Sequence, residues 1–118
     1  MKIAYFAVQG LNAYSEVNSL LEKELKKGFK SKIIEGTLFY YEDYSMMNNS
    51  DLLVVTRLQK INNSENDCEV EIVAGGGGDG ILSLTFGNEK RRLNKVLDLI
   101  EDFCKFKNYN ISELTITR

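Results

Sequence analysis

The stretch CEVEIVA, residues 68–74, alternates with period two: Cys68, Val70, Ile72 and Ala74 point one way, Glu69 and Glu71 the other. A β-strand turns successive side chains to opposite sides, so this alternation describes a strand with one apolar and one wet face. A sheet of such strands is covered on one side only, and the cover must come from other parts of the chain. Two segments have the right pattern. From Ser15 onward, Val17, Leu20, Leu21 and Leu25 recur at helical spacing, with Glu16 near the start, Lys26 and Lys27 near the end, and Gly28 placed to close the helix. From about Asn88 to Lys107, a stripe of Leu93, Val96, Leu97, Ile100, Phe103 and Cys104 defines a second, longer amphipathic helix.

The other β-prone segments are 2–8 (KIAYFAV), 32–44 (KIIEGTLFYYEDY, with Gly36 as a weak point or bulge), 52–61 (LLVVTRLQKI) and 81–86 (ILSLTF). The polar stretch 62–67 joins 52–61 to 68–74 as a hairpin, and ISELTITR at 111–118 reads as a last short strand or a loosely held tail. Strands in a run with short connections favour an antiparallel meander. The expectation is therefore a two-layer α+β fold: an antiparallel sheet of about five strands with both helices packed on one face. Residues 1–118 make one domain, large enough to bury a single core.

Apolar residues make up 43% of the chain and charged residues 27%, the balance of a soluble globular domain. A formal charge of −2 gives no general attraction to nucleic acid or anionic lipid, so neither is an expected partner. No stretch approaches a membrane span, and the opening apolar run is too short for a signal peptide before Gln9. The reading is cytoplasmic, with Cys68 and Cys104 as buried free thiols. Abundant Lys, Asn and Ile with little Arg hint at a low-GC bacterial genome.

Gly75-Gly76-Gly77-Gly78-Asp79-Gly80 matches the spacing of phosphate-binding glycine loops. In dinucleotide sites such a loop opens a helix, whose amide hydrogens and dipole hold the pyrophosphate. Here the period-two segment 81–86 follows instead, so no nucleotide and no cofactor is expected. A kinase-type loop lacks its companion motifs, and Gly80 is followed by Ile81 where a Walker loop needs Lys. The loop reads as a hairpin connection, with Gly76, Gly77, Gly78 and Asp79 as a bare-backbone surface against which a ligand or partner could lie.

The chain contains no histidine, which removes the commonest general base and the commonest transition-metal ligand. Cys-His and Ser-His-Asp arrangements are impossible, and adjacent Glu42 and Asp43 point to opposite faces of their strand. No catalytic or metal-binding residue is assigned. Two surfaces stand out. LFYYEDYSMM (38–47) loads bulky side chains on both faces of one strand, which marks Phe39, Tyr40, Tyr41 and Tyr44 as core with incidental surface or as an oligomer or partner interface. Lys90, Arg91 and Arg92 fall in the first turn of the second helix, where the dipole already presents positive charge. They read as a solvated basic turn or as a ligand site for an anion.

The order strand, helix, strand run, glycine turn, short strand, amphipathic helix resembles small uncharacterised α+β families of bacterial proteins. That resemblance spans the whole chain as a pattern and implies no activity and no catalytic residues. Without histidine or paired carboxylates, the sequence favours a non-enzymatic binding or interaction module, forming a homodimer or meeting a protein partner through a sheet edge or the Tyr-rich strand. The alternative is a small-ligand or anion-binding protein, at most a weak enzyme, using the start of the second helix or the glycine loop.

Overall fold

The computed structural model describes residues 2–25, 28–45, 50–75 and 88–117. In chain order the elements are β1 (Lys2–Gln9), α1 (Ala13–Glu24), β2 (Phe29–Ile33), β3 (Gly36–Ser45), β4 (Ser50–Lys60), β5 (Cys68–Gly75), α2 (Asn88–Lys107) and β6 (Asn110–Thr117). The strands form one sheet in the order β2-β3-β4-β5-β1-β6, with every neighbouring pair antiparallel. The α+β class and the antiparallel sheet with two helices are as expected. Six strands are described where about five were expected, and the sheet is not a plain meander. β2 to β5 follow one another as hairpins, but β1 is inserted between β5 and β6. α1 carries the chain from β1 to the far edge strand β2, and α2 leads into β6 on the other edge.

One reading of the chain is corrected. The segment 32–44 is not one strand with a bulge at Gly36; a hairpin divides it into β2 and β3, with Ile34 and Glu35 at the tip. Gly36 is needed because of close approach: a Cβ there would stand 2.4 Å from the Leu58 carbonyl oxygen, which is backbone and cannot yield. Of the two readings of segment 111–118, the strand is observed: β6 is paired in register with β1 apart from a bulge between Tyr5 and Ala7. Segment 81–86 lies outside the described residues.

Register sorts the strand residues into rows on two faces. Ala4, Phe6 and Val8 of β1 pair with Ile72, Val70 and Cys68 of β5; Thr56 and Leu58 of β4 continue the Ile72 and Val70 rows, and Val54 pairs with Ala74 in the next. These side chains are buried. Ala13, Tyr14, Val17 and Leu21 of α1 and Leu93, Val96, Leu97, Ile100 and Cys104 of α2 join them in a single core cluster, so both helices cover the same face. Burying one such aliphatic side chain stabilises by roughly 1.5–3 kcal/mol, which is why the two apolar stripes dictate where the helices lie.

Candidate functional site

Among the described residues, the opposite face carries no helix. Along it, register aligns Phe29, Tyr40, Val55, Val73 and Ile3 in one row across five adjacent strands. At about 4.8 Å between strands this apolar row is roughly 19 Å long. Phe29 is 74% exposed and its ring stacks on Tyr40, with centroids 6.3 Å apart. Leu53, on the same face two residues from Val55, is 45% exposed. Tyr40 shares a hydrogen bond with Ser31, which holds the phenol against the edge strand.

The neighbouring row on this face, Ser31, Leu38, Arg57, Glu71 and Tyr5, carries charge at its centre. Arg57 lies opposite Glu71, its Nε donating to Glu71 Oε1 at 3.4 Å, and Glu69 Oε2 lies 3.8 Å from the guanidinium. Arg57 also donates to Gln59 Oε1. The wet side expected of β5 is therefore wet through Glu69 and Glu71, while the same face turns apolar one row away.

The residues singled out in the sequence separate in space. Phe39, grouped there with the interface tyrosines, is 3% exposed, faces the helices and belongs to the core. Tyr40 is on the helix-free face, and the backbones of Tyr41 and Tyr44 pair with Val54 and Asp51. Lys90 and Arg91 are exposed and Arg92 is half-buried at the start of α2, around a shallow hollow of about 610 Å³ whose other lining residues are Asn94, Lys95 and Asp98. Gly76, Gly77, Gly78 and Asp79 lie outside the described residues.

A second recess lies on the helix side, between α1 and the β2–β3 hairpin, with a volume of about 550 Å³. Tyr14, Asn18 and Glu22, one turn apart on α1, form one wall. Lys30, Lys32 and Glu35 of the hairpin form the other, and Lys60 closes the end. Glu22 Oε1 is 2.9 Å from Lys30 Nζ, and this donor holds the Glu22 carboxyl below its ordinary range. Lys60 Nζ stands 5.2 Å from the centroid of the Tyr14 ring and 3.1 Å from Glu65 Oε1. Sequence reasoning missed this recess, since its walls come from three separate segments and no local motif announces it.

Cys68 and Cys104 are both free and buried. Burial pushes the Cys68 thiol up to about 12 and the Cys104 thiol up to about 11, so neither is a nucleophile at neutral pH. Among the described residues no group of His, Cys, Asp and Glu is placed to hold a metal ion, and no helix is long and apolar enough to cross a membrane. No protein-family profile, curated protein or solved structure matches the chain.

Proposed function

We propose that this chain is a non-enzymatic interaction module that self-associates through the helix-free face of its sheet. The observation that carries the reading is the apolar row from Phe29 to Ile3 on that face, exposed at Phe29 and half-buried along its other four residues, with exposed Leu53 beside it. Large exposed apolar side chains in one contiguous band are a feature of interfaces and a liability on a free monomer. A second copy is the favoured occupant because the adjoining part of the face carries both signs of charge, Arg57 beside Glu71 and, one row further, Glu69. Such a face can meet its own copy about a two-fold axis with unlike charges opposed, as a symmetric dimer requires. The basic turn at Lys90 and Arg91 supports the anion-binding reading less well, because its hollow is shallow and its cations stand in solvent.

Light scattering on the full chain tests this. The expected mass is about twice the 13.4 kDa of one chain, falling to one chain for Phe29→Glu combined with Leu53→Glu. Both positions are exposed, so the double variant should keep its circular dichroism and cooperative unfolding. A wild-type chain that stays monomeric at high micromolar concentration overturns the proposal.

A further inference from the structure

Two identical faces that meet about a two-fold axis place residue i of one copy on residue j of the other, and j on i. When two sheets pack face to face with their strands aligned, that axis lies in the interface and runs either along the strands or across them. An axis along the strands keeps every residue in its own row. It moves the residue to the strand equally far on the other side of the axis. Because the rows are fixed by the observed pairing, each position of the axis gives a definite list of contacts.

Charge separates these positions. Among the described residues, Arg57 is the one cation that the register places on the helix-free face. An axis along β4 lays Arg57 on its own copy, and one between β3 and β4 lays it on Leu38. An axis across the strands, along the apolar row, lays Arg57 on Leu53 and Leu38 on Glu42, so a charge meets an apolar side chain each time. An axis between β4 and β5 lays Arg57 on Glu71, since the two are directly paired in the sheet, and the symmetry makes this contact twice. The same axis sets Val55 on Val73, Tyr40 on Ile3 and Leu38 on Tyr5, which joins the apolar row to its own copy. It is also the midline of the six described strands, β2-β3-β4 on one side and β5-β1-β6 on the other, so the two sheets overlap in full.

We propose that two copies join about this midline axis, with Arg57 of each copy paired to Glu71 of the other. The inference rests on the self-association proposed above and assigns its register and its specificity-determining pair. Within one chain Arg57 Nε already donates to Glu71 Oε1 at 3.4 Å. A guanidinium carries five N–H donors and a carboxylate about four acceptor positions, so both groups can keep this bond and take a second across the interface. Sheets about 10 Å apart lie within the combined reach of an Arg and a Glu that point at each other.

Charge reversal on the full chain tests this, read by light scattering and sedimentation. Arg57→Glu sets Glu on Glu twice across the axis, and Glu71→Arg sets Arg on Arg twice. Each variant alone should therefore dissociate at least about tenfold more readily than the wild type. An equimolar mixture of the two should recover the dimer, because a mixed pair opposes Glu and Arg at both contacts. A wild-type dimer that both variants retain, or a mixture that stays monomeric, overturns this register and leaves self-association standing; a wild-type monomer overturns both. If either variant loses its circular dichroism, cross-linking decides. Tyr40→Cys mixed with Ile3→Cys should be joined by a short thiol-reactive bifunctional reagent, since these positions face each other across the axis. Each cysteine variant alone should cross-link far less, because like positions then stand three strands apart, about 14 Å. Cross-linking in either variant alone that equals or exceeds the mixture overturns the proposal.

Discussion

Glu35 at φ 58° shows how one residue can hide a feature from the sequence. Glu35-Gly36 carries no turn signal in the order found, because the glycine follows the position that needs it. Read as letters, Gly36 looks like a bulge in a continuous strand; in the fold it is the point where β3 passes against the Leu58 carbonyl, and Glu35 takes the left-handed turn. Ile34 beside it is 86% exposed, so the apolar pair Ile33-Ile34 pointed to a strand that does not continue. A left-handed non-glycine residue costs roughly 1–2 kcal/mol, against roughly 0.5–1 kcal/mol of extra chain entropy that a glycine loses on folding. Glu35→Gly is thus expected to raise stability by about 0.5–1 kcal/mol in urea unfolding, and Glu35→Ala, which keeps the strain, to raise it little or not at all. Equal effects of the two substitutions would show that the turn is not strained.

The start of α1 is legible only at the level of elements. The helical pattern places it at Ser15, yet the helix begins at Ala13, because the β4–β5 loop supplies the partners that its first turn lacks. Asn12 has no capping bond of its own; its N–H donates to Asn66 Oδ1 at 2.8 Å, Tyr14 N–H donates to the Glu65 carbonyl at 2.9 Å, and Ser15 Oγ donates to Glu65 Oε2 at 2.7 Å. These partners lie some fifty residues away in the chain, so no capping box could have shown them. The same holds for the recess, whose walls come from α1, the β2–β3 hairpin and the end of β4. What was legible was periodic: α2 and the alternation of β5 are observed as read, because each pattern is contained in one segment. Asn66→Ala is expected to cost about 1 kcal/mol, as for loss of a helix N-cap. Hydrogen exchange should locate the loss at the Asn12 and Tyr14 amides. An unchanged exchange rate at both would mean that the loop does not hold the helix.

At the scale of the whole molecule, the charge chemistry is lopsided, and this sets how stability depends on pH. The chain has no histidine, so no side chain with an ordinary pKa titrates between about pH 6 and 8, and stability there should be flat. On the acid side, Glu22 and Glu65 are held below their ordinary range, by Lys30 and by Ser15 with Lys60 respectively. A lowered carboxyl contributes stability that is present above its unfolded pKa and lost as pH falls through the folded one. Both groups stand in solvent, however, where such pairs are worth little. On the alkaline side the groups are deep. Cys68 and Cys104 lie in the core, raised by burial from 9.0 to about 12 and about 11, and Tyr109 is raised as well, chiefly by desolvation. A raised acid stays protonated in the fold while the unfolded chain gives up its proton. Its contribution is therefore complete below pH 9 and is lost as pH rises towards 11 and 12. Urea midpoints should hold level from about pH 6 to 8.5 and then fall, while the acid limb stays shallow until the carboxylates as a group take up protons. Thiol reagents at pH 8 should label Cys68 and Cys104 only on unfolding, and Cys104→Ala should flatten the alkaline fall whatever it does to the plateau. A midpoint that drops between pH 6 and 8, or an alkaline slope that Cys104→Ala leaves unchanged, would show that the buried thiols do not govern the response.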